Sequence, residues 1–443
     1  MNERRKRHET FAAGQTGVTL LAHSQHRPLP NPANTAPSFY PAFVLAMIFL
    51  LALPKGGIAA GGLPVTFGYV LLGALAPFSV LSALRNGGPA PAAIANFLFG
   101  YVPISALAML KLLSSGSSYG LAIYAVTLVI LPALMLLIHG PVLERLSERQ
   151  IGEPLKWCLR FVVFWGLLNF VLFAVSKRFL EIPYLTINPL DLGEIYFKNN
   201  RRGILMKLVS TYNNGNIYGV CMVMLLPVYW YFERSRTWLC LFVLAIILSL
   251  SRTVWAGLIV VTFGMILSGQ LRISRPAVWF SLGSAMLMVV ALLPLMGWTS
   301  DRVVDTNLGG RMAQWNDVVL SAFGQADVRI SEVLYAGLLQ SFGIIGTLLA
   351  LGALAFPVVY AMMNWQLFTP LRRAAVVGVG SYLLMAASDA AFIYPPTIAI
   401  LLALCALAYR RGDRSASGNE SRHIAAPRPL GPITLAQAAA RLR

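Results

Sequence analysis

Long apolar runs recur from one end of this chain to the other, and they limit the fold more than any other feature. A helix that crosses hydrocarbon needs roughly 20 mostly apolar residues. Transmembrane strands would instead show short alternating segments, and these runs do not alternate. Charged residues make up 12% of the 443, about half the share of a soluble chain, so counting domains by length does not apply. The expected fold is an all-α polytopic membrane protein.

Candidate spans are 39–54, 63–84, 90–112, 119–139, 157–175, 216–232, 237–250, 253–268, 277–297, 337–363, 374–391 and 393–409. That is about twelve transmembrane helices. Segment 1–38 reads as a disordered basic cytoplasmic tail, 39–409 as the helix bundle, and 410–443 as a second disordered tail. With the N-terminal tail inside, the inner loops carry Arg85, then Arg145, Arg149 and Lys156, then Arg234 and Arg236, then Arg272 and Arg275, then Arg372 and Arg373. Each is basic, as the positive-inside rule requires, and an even span count places both tails in the cytoplasm. Segment 143–156 is expected as a charged inner loop or a short interfacial helix.

The same rule accounts for the net charge of +18 without nucleic acid, and no aromatic residues interleave with the basic ones to suggest it. Arg4, Arg5, Lys6 and Arg7 are followed by no apolar run before about residue 39, which is not the pattern of a secretory signal peptide. The cysteines, Cys158, Cys221, Cys240 and Cys405, lie inside apolar runs without metal-ligand spacing. The histidines, His8, His23, His26, His139 and His423, fall in tails or at one helix end.

Two outer segments break the charge pattern. Segment 176–215 carries Lys177, Arg178, Lys198, Arg201, Arg202 and Lys207. Segment 298–336, the large periplasmic loop between the ninth and tenth helices, carries Arg302, Arg311 and Arg329 among several acids. Arg252 adds a third exception in a tight turn. Ordinary surface ion pairs explain such residues; so does an anion site at the membrane surface, which guanidinium forks suit.

Three stretches could carry chemistry. Ser210-Thr-Tyr-Asn-Asn-Gly-Asn216 opens a helix just after Arg201, Arg202 and Lys207, and its amides serve either as helix caps or as contacts to sugar and phosphate. Arg252, within Ser251-Arg-Thr253, either snorkels to lipid phosphate or faces the bundle interior. The third runs from Gly309-Gly-Arg-Met-Ala-Gln-Trp315 to Ser331-Glu-Val-Leu-Tyr335 and then Gly343-Ile-Ile-Gly346. Glu332 there is a candidate general base or a carboxylate complementing a helix dipole. Asp389 is a weaker candidate of the same kind.

At these stretches the chain resembles the bacterial O-antigen polymerase and O-antigen ligase superfamily. The resemblance rests on Asn213, Asn214 and Asn216, on Ser251-Arg252, on Arg311 with Trp315, and on the approach to Gly343-Ile-Ile-Gly346; it covers roughly residues 195–365. In many ligases and some polymerases the residue eleven before the first of those glycines is histidine. Here it is Glu332, which tilts the resemblance towards the polymerase branch.

The resemblance implies a bacterial inner-membrane glycosyltransferase that moves glycan from a polyprenyl-diphosphate-linked oligosaccharide to a sugar hydroxyl, without a metal or other cofactor. It gives Arg252 and Arg311 to the diphosphate and Glu332 to the acceptor hydroxyl as catalytic residues. Arg201, Arg202, Lys207, Tyr212, Asn213, Asn216, Arg302 and Arg329 would hold substrate. Its partners are the lipid-linked glycan, membrane lipids, and other polysaccharide assembly and chain-length proteins. The alternatives are an O-antigen ligase, a flippase for the same lipids, and a structural partner in an envelope complex. A flippase would be expected to show internal repeats and interrupted helices.

Overall fold

The computed structural model describes residues 40–60, 63–86, 88–115, 123–197, 200–202, 205–271, 276–295, 311–325, 331–389 and 396–411. Its helices are α1 (Tyr40–Ala52), α2 (Phe67–Arg85), α3 (Pro91–Ser114), α4 (Ala125–Arg145), α5 (Glu148–Ser176), α6 (Gly215–Phe232), α7 (Arg236–Ile247) and α8 (Arg252–Leu267). They continue with α9 (Pro276–Leu295), α10 (Arg311–Asn316), α11 (Leu334–Met363), α12 (Pro370–Met385) and α13 (Thr397–Tyr409). Six of them, α2 to α6 and α11, are long and apolar enough to cross a membrane. The chain is an all-α membrane protein, and its described strands are two small hairpins.

Three expectations are corrected. Segment 143–156 is not a charged loop: α4 continues to Arg145 and α5 begins at Glu148. A capping box explains the start of α5. The Gln150 amide donates to Ser147 Oγ at 3.2 Å, and the Ser147 amide donates to Gln150 Oε1 at 2.8 Å, so two otherwise orphaned donors are satisfied. The span expected over 337–363 is interrupted, since Gly343 has φ 68° and ψ −167°. The span expected from residue 63 begins with a strand, β2 (Leu63–Thr66), paired antiparallel with β1 (Gly57–Ala60). That hairpin leans on the segment after α5, where the Gly57 amide donates to Tyr184 O at 2.9 Å and the Asn188 side chain to Ile58 O at 3.0 Å.

The core is organised on α12, which packs against α6, α8, α11 and α13. Small residues permit the close crossings, as expected where lipid cannot drive helices together. A Cβ at Gly378 of α12 would lie 2.2 Å from Met224 O of α6, and one at Gly219 of α6 would lie 2.4 Å from Val254 Cγ2 of α8. In the most apolar stretch of α6, 78% of residues are buried, against 17% in α2. The first is an interior helix, and the second presents most of its surface outwards. One end of this core holds the charged residues described next, because α6 and α8 both start there and α12 ends there.

Candidate functional site

The Asn-rich stretch is built to start a helix. Asn213 takes the left-handed conformation, at φ 59°, and turns the chain, which asparagine tolerates better than most residues. Asn214 then caps α6, its side-chain oxygen accepting from the amides of Asn216 at 2.8 Å and Ile217 at 3.4 Å. Asn216, in the first turn, is left facing the charged residues. Just upstream, β3 (Arg201–Arg202) pairs with β4 (Leu205–Met206). The backbone is pinned below the hairpin by Lys207 N to Asn200 O and Leu208 N to Leu248 O, both 2.8 Å. This brings Arg202 and Lys207 over the start of α6 and beside the turn that precedes Arg252.

A continuous polar network follows. Lys207 Nζ donates to Asn216 Oδ1 at 2.8 Å, and the Asn216 side chain also hydrogen-bonds Asp389. Arg311 bridges two carboxylates, giving one guanidinium nitrogen to Asp389 Oδ2 at 2.8 Å and Nε to Glu332 Oε2 at 3.3 Å. The side chain of Asp389 is 5% exposed and that of Glu332 is 57% exposed. Asp389 is therefore an interior anchor, and Glu332 is the carboxylate that an incoming molecule can reach.

The electrostatics follow from crowding. Burial, with Arg202 and Arg311 acting in the same direction, pushes the Lys207 ammonium down to about 7, while Asp389 and Glu332 oppose the fall. Burial pushes the Asp389 carboxyl up to about 6, against the pull of Arg311 and with help from Glu332. The Arg202 guanidinium is lowered by burial first, then by its neighbours Arg252 and Arg311. Three arginines and a lysine thus share one neighbourhood whose acids, among the described residues, are Glu332 and Asp389. Like charges brought together out of water are costly unless an anion joins them.

The residues of α10 and of the connection to α11 are set by specific contacts. Gln314 Oε1 accepts from Ser331 Oγ at 2.7 Å and from the Val333 amide at 3.2 Å. Trp315 Nε1 donates to Ala387 O at 3.2 Å, two residues before Asp389. Ser388 Oγ donates to Thr253 Oγ1 at 3.1 Å, tying the end of α12 to the residue after Arg252.

Of the residues singled out in the sequence, the structure brings together Arg202, Lys207, Asn216, Arg252, Arg311 and Glu332, with Asp389 at their centre. Arg201 is exposed on the hairpin. Tyr212 turns inwards, fully buried, with its hydroxyl donating to Leu51 O at 2.8 Å. Asn213 is also buried, and its carbonyl accepts from the Asn200 side chain. Both therefore serve the turn before α6. Arg302 and Arg329 lie outside the described residues. Sequence reasoning passed over Asn200, which bonds Ile195 O, Asn213 O and the Gly215 amide and so braces the whole turn. Only its place beside Arg201 could have flagged it. Among the described residues, no group of three or more His, Cys, Asp or Glu is placed to hold a metal ion. Protein-family models and curated proteins compared with the chain give no match, so its function has to be argued from this site.

Proposed function

We propose that the chain is a polysaccharide polymerase of the bacterial inner membrane. It joins polyprenyl-diphosphate-linked oligosaccharide repeat units at the periplasmic face by metal-independent glycosyl transfer. The observation that carries this reading is the convergence of Arg202, Lys207, Arg252 and Arg311 around a reachable carboxylate, at the end of an apolar bundle. A lipid-linked diphosphate brings its own negative charge to that place, and its hydrocarbon tail belongs in the surrounding bilayer.

The chemistry is simple in outline. The anomeric carbon–oxygen bond to the diphosphate breaks, the acceptor hydroxyl forms a new bond to that carbon, and its proton goes to Glu332. The departing diphosphate gains a negative charge, which preorganised guanidinium donors stabilise. Arg311 is held for this by Asp389, and Arg252 supplies a second fork. Asn216 and Lys207 complete the cradle on the bundle side.

The experiment is to extract and size the lipid-linked glycans of cells that lack the protein. Accumulated single repeat units without long chains support the polymerase, and Glu332→Gln should reproduce that pattern, with transfer by the purified protein reduced about 100-fold. Long lipid-linked polymer that never reaches a final acceptor would instead mean a ligase. Long polymer made and exported normally would sink both readings.

A further inference from the structure

The break in α11 is filled by the chain itself. On one side of Gly343, the amides of Ile344 and Ile345 donate to Ser321 O at 2.9 Å and Ala322 O at 3.1 Å. On the other side, Gln340 O accepts from the Gln325 amide at 2.8 Å. Segment 321–325 is therefore wedged into the gap between two half-helices, and it takes up backbone groups that the break would leave unpaired. The fit is close. Gly324 and Gly343 both have positive φ, and a Cβ at Gly343 would stand 2.3 Å from the Gly324 amide nitrogen.

One side chain closes this joint from another helix. Lys111, in the last turn of α3, donates to Phe323 O of the wedge at 2.6 Å and also to Ser341 O of the first half-helix. A cation is favoured there because the carbonyl end of a half-helix carries partial negative charge. A lysine inside an apolar helix is costly without such partners.

The wedge lies a few residues beyond α10, which carries Arg311, Gln314 and Trp315. We infer that Lys111 is a positioning residue for the charged site: by clamping 321–325 into the break, it sets where α10 stands over the end of α12. The inference rests on the proposed function only for its catalytic consequence, since the clamp can be tested without any substrate.

The test uses the full chain with its four cysteines (Cys158, Cys221, Cys240 and Cys405) replaced by alanine and with Trp315→Cys and Ala387→Cys introduced. Oxidative cross-linking between these positions reports whether α10 sits against α12. Lys111→Met should slow cross-linking at least tenfold, and Lys111→Arg should restore most of it. Gly324→Val, which displaces the wedge with the lysine intact, should slow it too, in protein that keeps the parent's gel-filtration profile. Cross-linking at the parent rate in both Lys111→Met and Gly324→Val would overturn the inference. In a parallel assay with a polyprenyl-diphosphate-linked repeat unit, Lys111→Met should raise the donor KM at least fivefold, again with rescue by arginine. If the parent protein transfers no glycan while the cross-linking results hold, the polymerase reading fails and the clamp stands.

Discussion

Arginines occupy both ends of α12, and they are used in opposite ways. At its start, Arg372 donates to Ala408 O at 2.8 Å and stacks 3.8 Å from the Phe368 ring. Nearby, Arg145 donates to Ser82 O at 2.8 Å, and Arg410 to Leu146 O at 2.6 Å. Each guanidinium meets a backbone carbonyl near the C-terminal end of a helix, where the dipole favours a cation. Arg160, in α5, forks onto Glu233 at 2.8 and 2.9 Å. Burial alone would raise that carboxyl, but Arg160, the Ser235 amide and Tyr229 override it and hold it at about 2. At the other end, burial and then the neighbouring Arg252 and Arg311 lower Arg202, and Arg311 bridges two carboxylates. The first group is satisfied within the protein, by backbone carbonyls for Arg372, Arg145 and Arg410 and by one carboxylate for Arg160. The second crowds three guanidiniums and an ammonium around two carboxylates, and on the proposed function it is the charge that an incoming anion would meet.

The contrast can be broken by mutation. The largest effect is expected from Arg311→Ala, which removes a donor to the leaving group and strands Asp389 without its cation. Transfer by purified protein should fall about 1000-fold. Arg252→Lys keeps the charge but loses the fork, and a fall of about tenfold in donor kcat/KM is expected; full retention would exclude a bidentate phosphate contact. Arg372→Gln should reduce stability by about 1–3 kcal/mol in thermal or denaturant unfolding, while activity per folded molecule stays unchanged. If transfer fell as far as in Arg311→Ala, the two ends would not differ in kind.

A further effect is in pH. As pH rises through about 6 the Asp389 carboxyl gains its charge, and through about 7 the Lys207 ammonium loses its own. Both changes make the site less positive, so a sugar-linked polyprenyl diphosphate, a diester whose own charge is constant over this range, should bind about tenfold more weakly at pH 8 than at pH 5.5. Lys207→Met should flatten the upper part of that titration.

Much of this site was legible in the sequence because basic residues in segments expected on the outer side of a membrane protein are conspicuous. Arg252, Arg311 and Lys207 stood out against the expected positive-inside pattern, Glu332 as a carboxylate just ahead of an apolar run, and Asn216 as an amide at a helix start. What stayed hidden was hidden for physical reasons. Lys111 closes an apolar run and reads as a snorkelling end, since nothing local announces the distant carbonyls of Phe323 and Ser341. The Gly343 break leaves no trace in hydropathy, because both half-helices are apolar. Charge alone left residues 143–156 open between a loop and a short interfacial helix, although Ser147 with Gln150 spells a capping box. Tyr212 and Asn213 share a motif with Asn216, and only packing separates those that brace the turn from the one that faces the site.

The crossing at Gly378 has a consequence for how the molecule can change over time. Asn216 rides at the start of α6 and Asp389 just past the end of α12, and these two helices meet main chain to main chain, with Met224 O where any side chain at 378 would have to be. The inner half of the cradle is therefore cast as one piece with the bundle, whereas Arg311 starts the short α10 and Glu332 lies in the connection before α11. On the proposed function, drift in acceptor preference has room in that segment; at position 378 a single methyl group would shift the floor on which every variant of it must work.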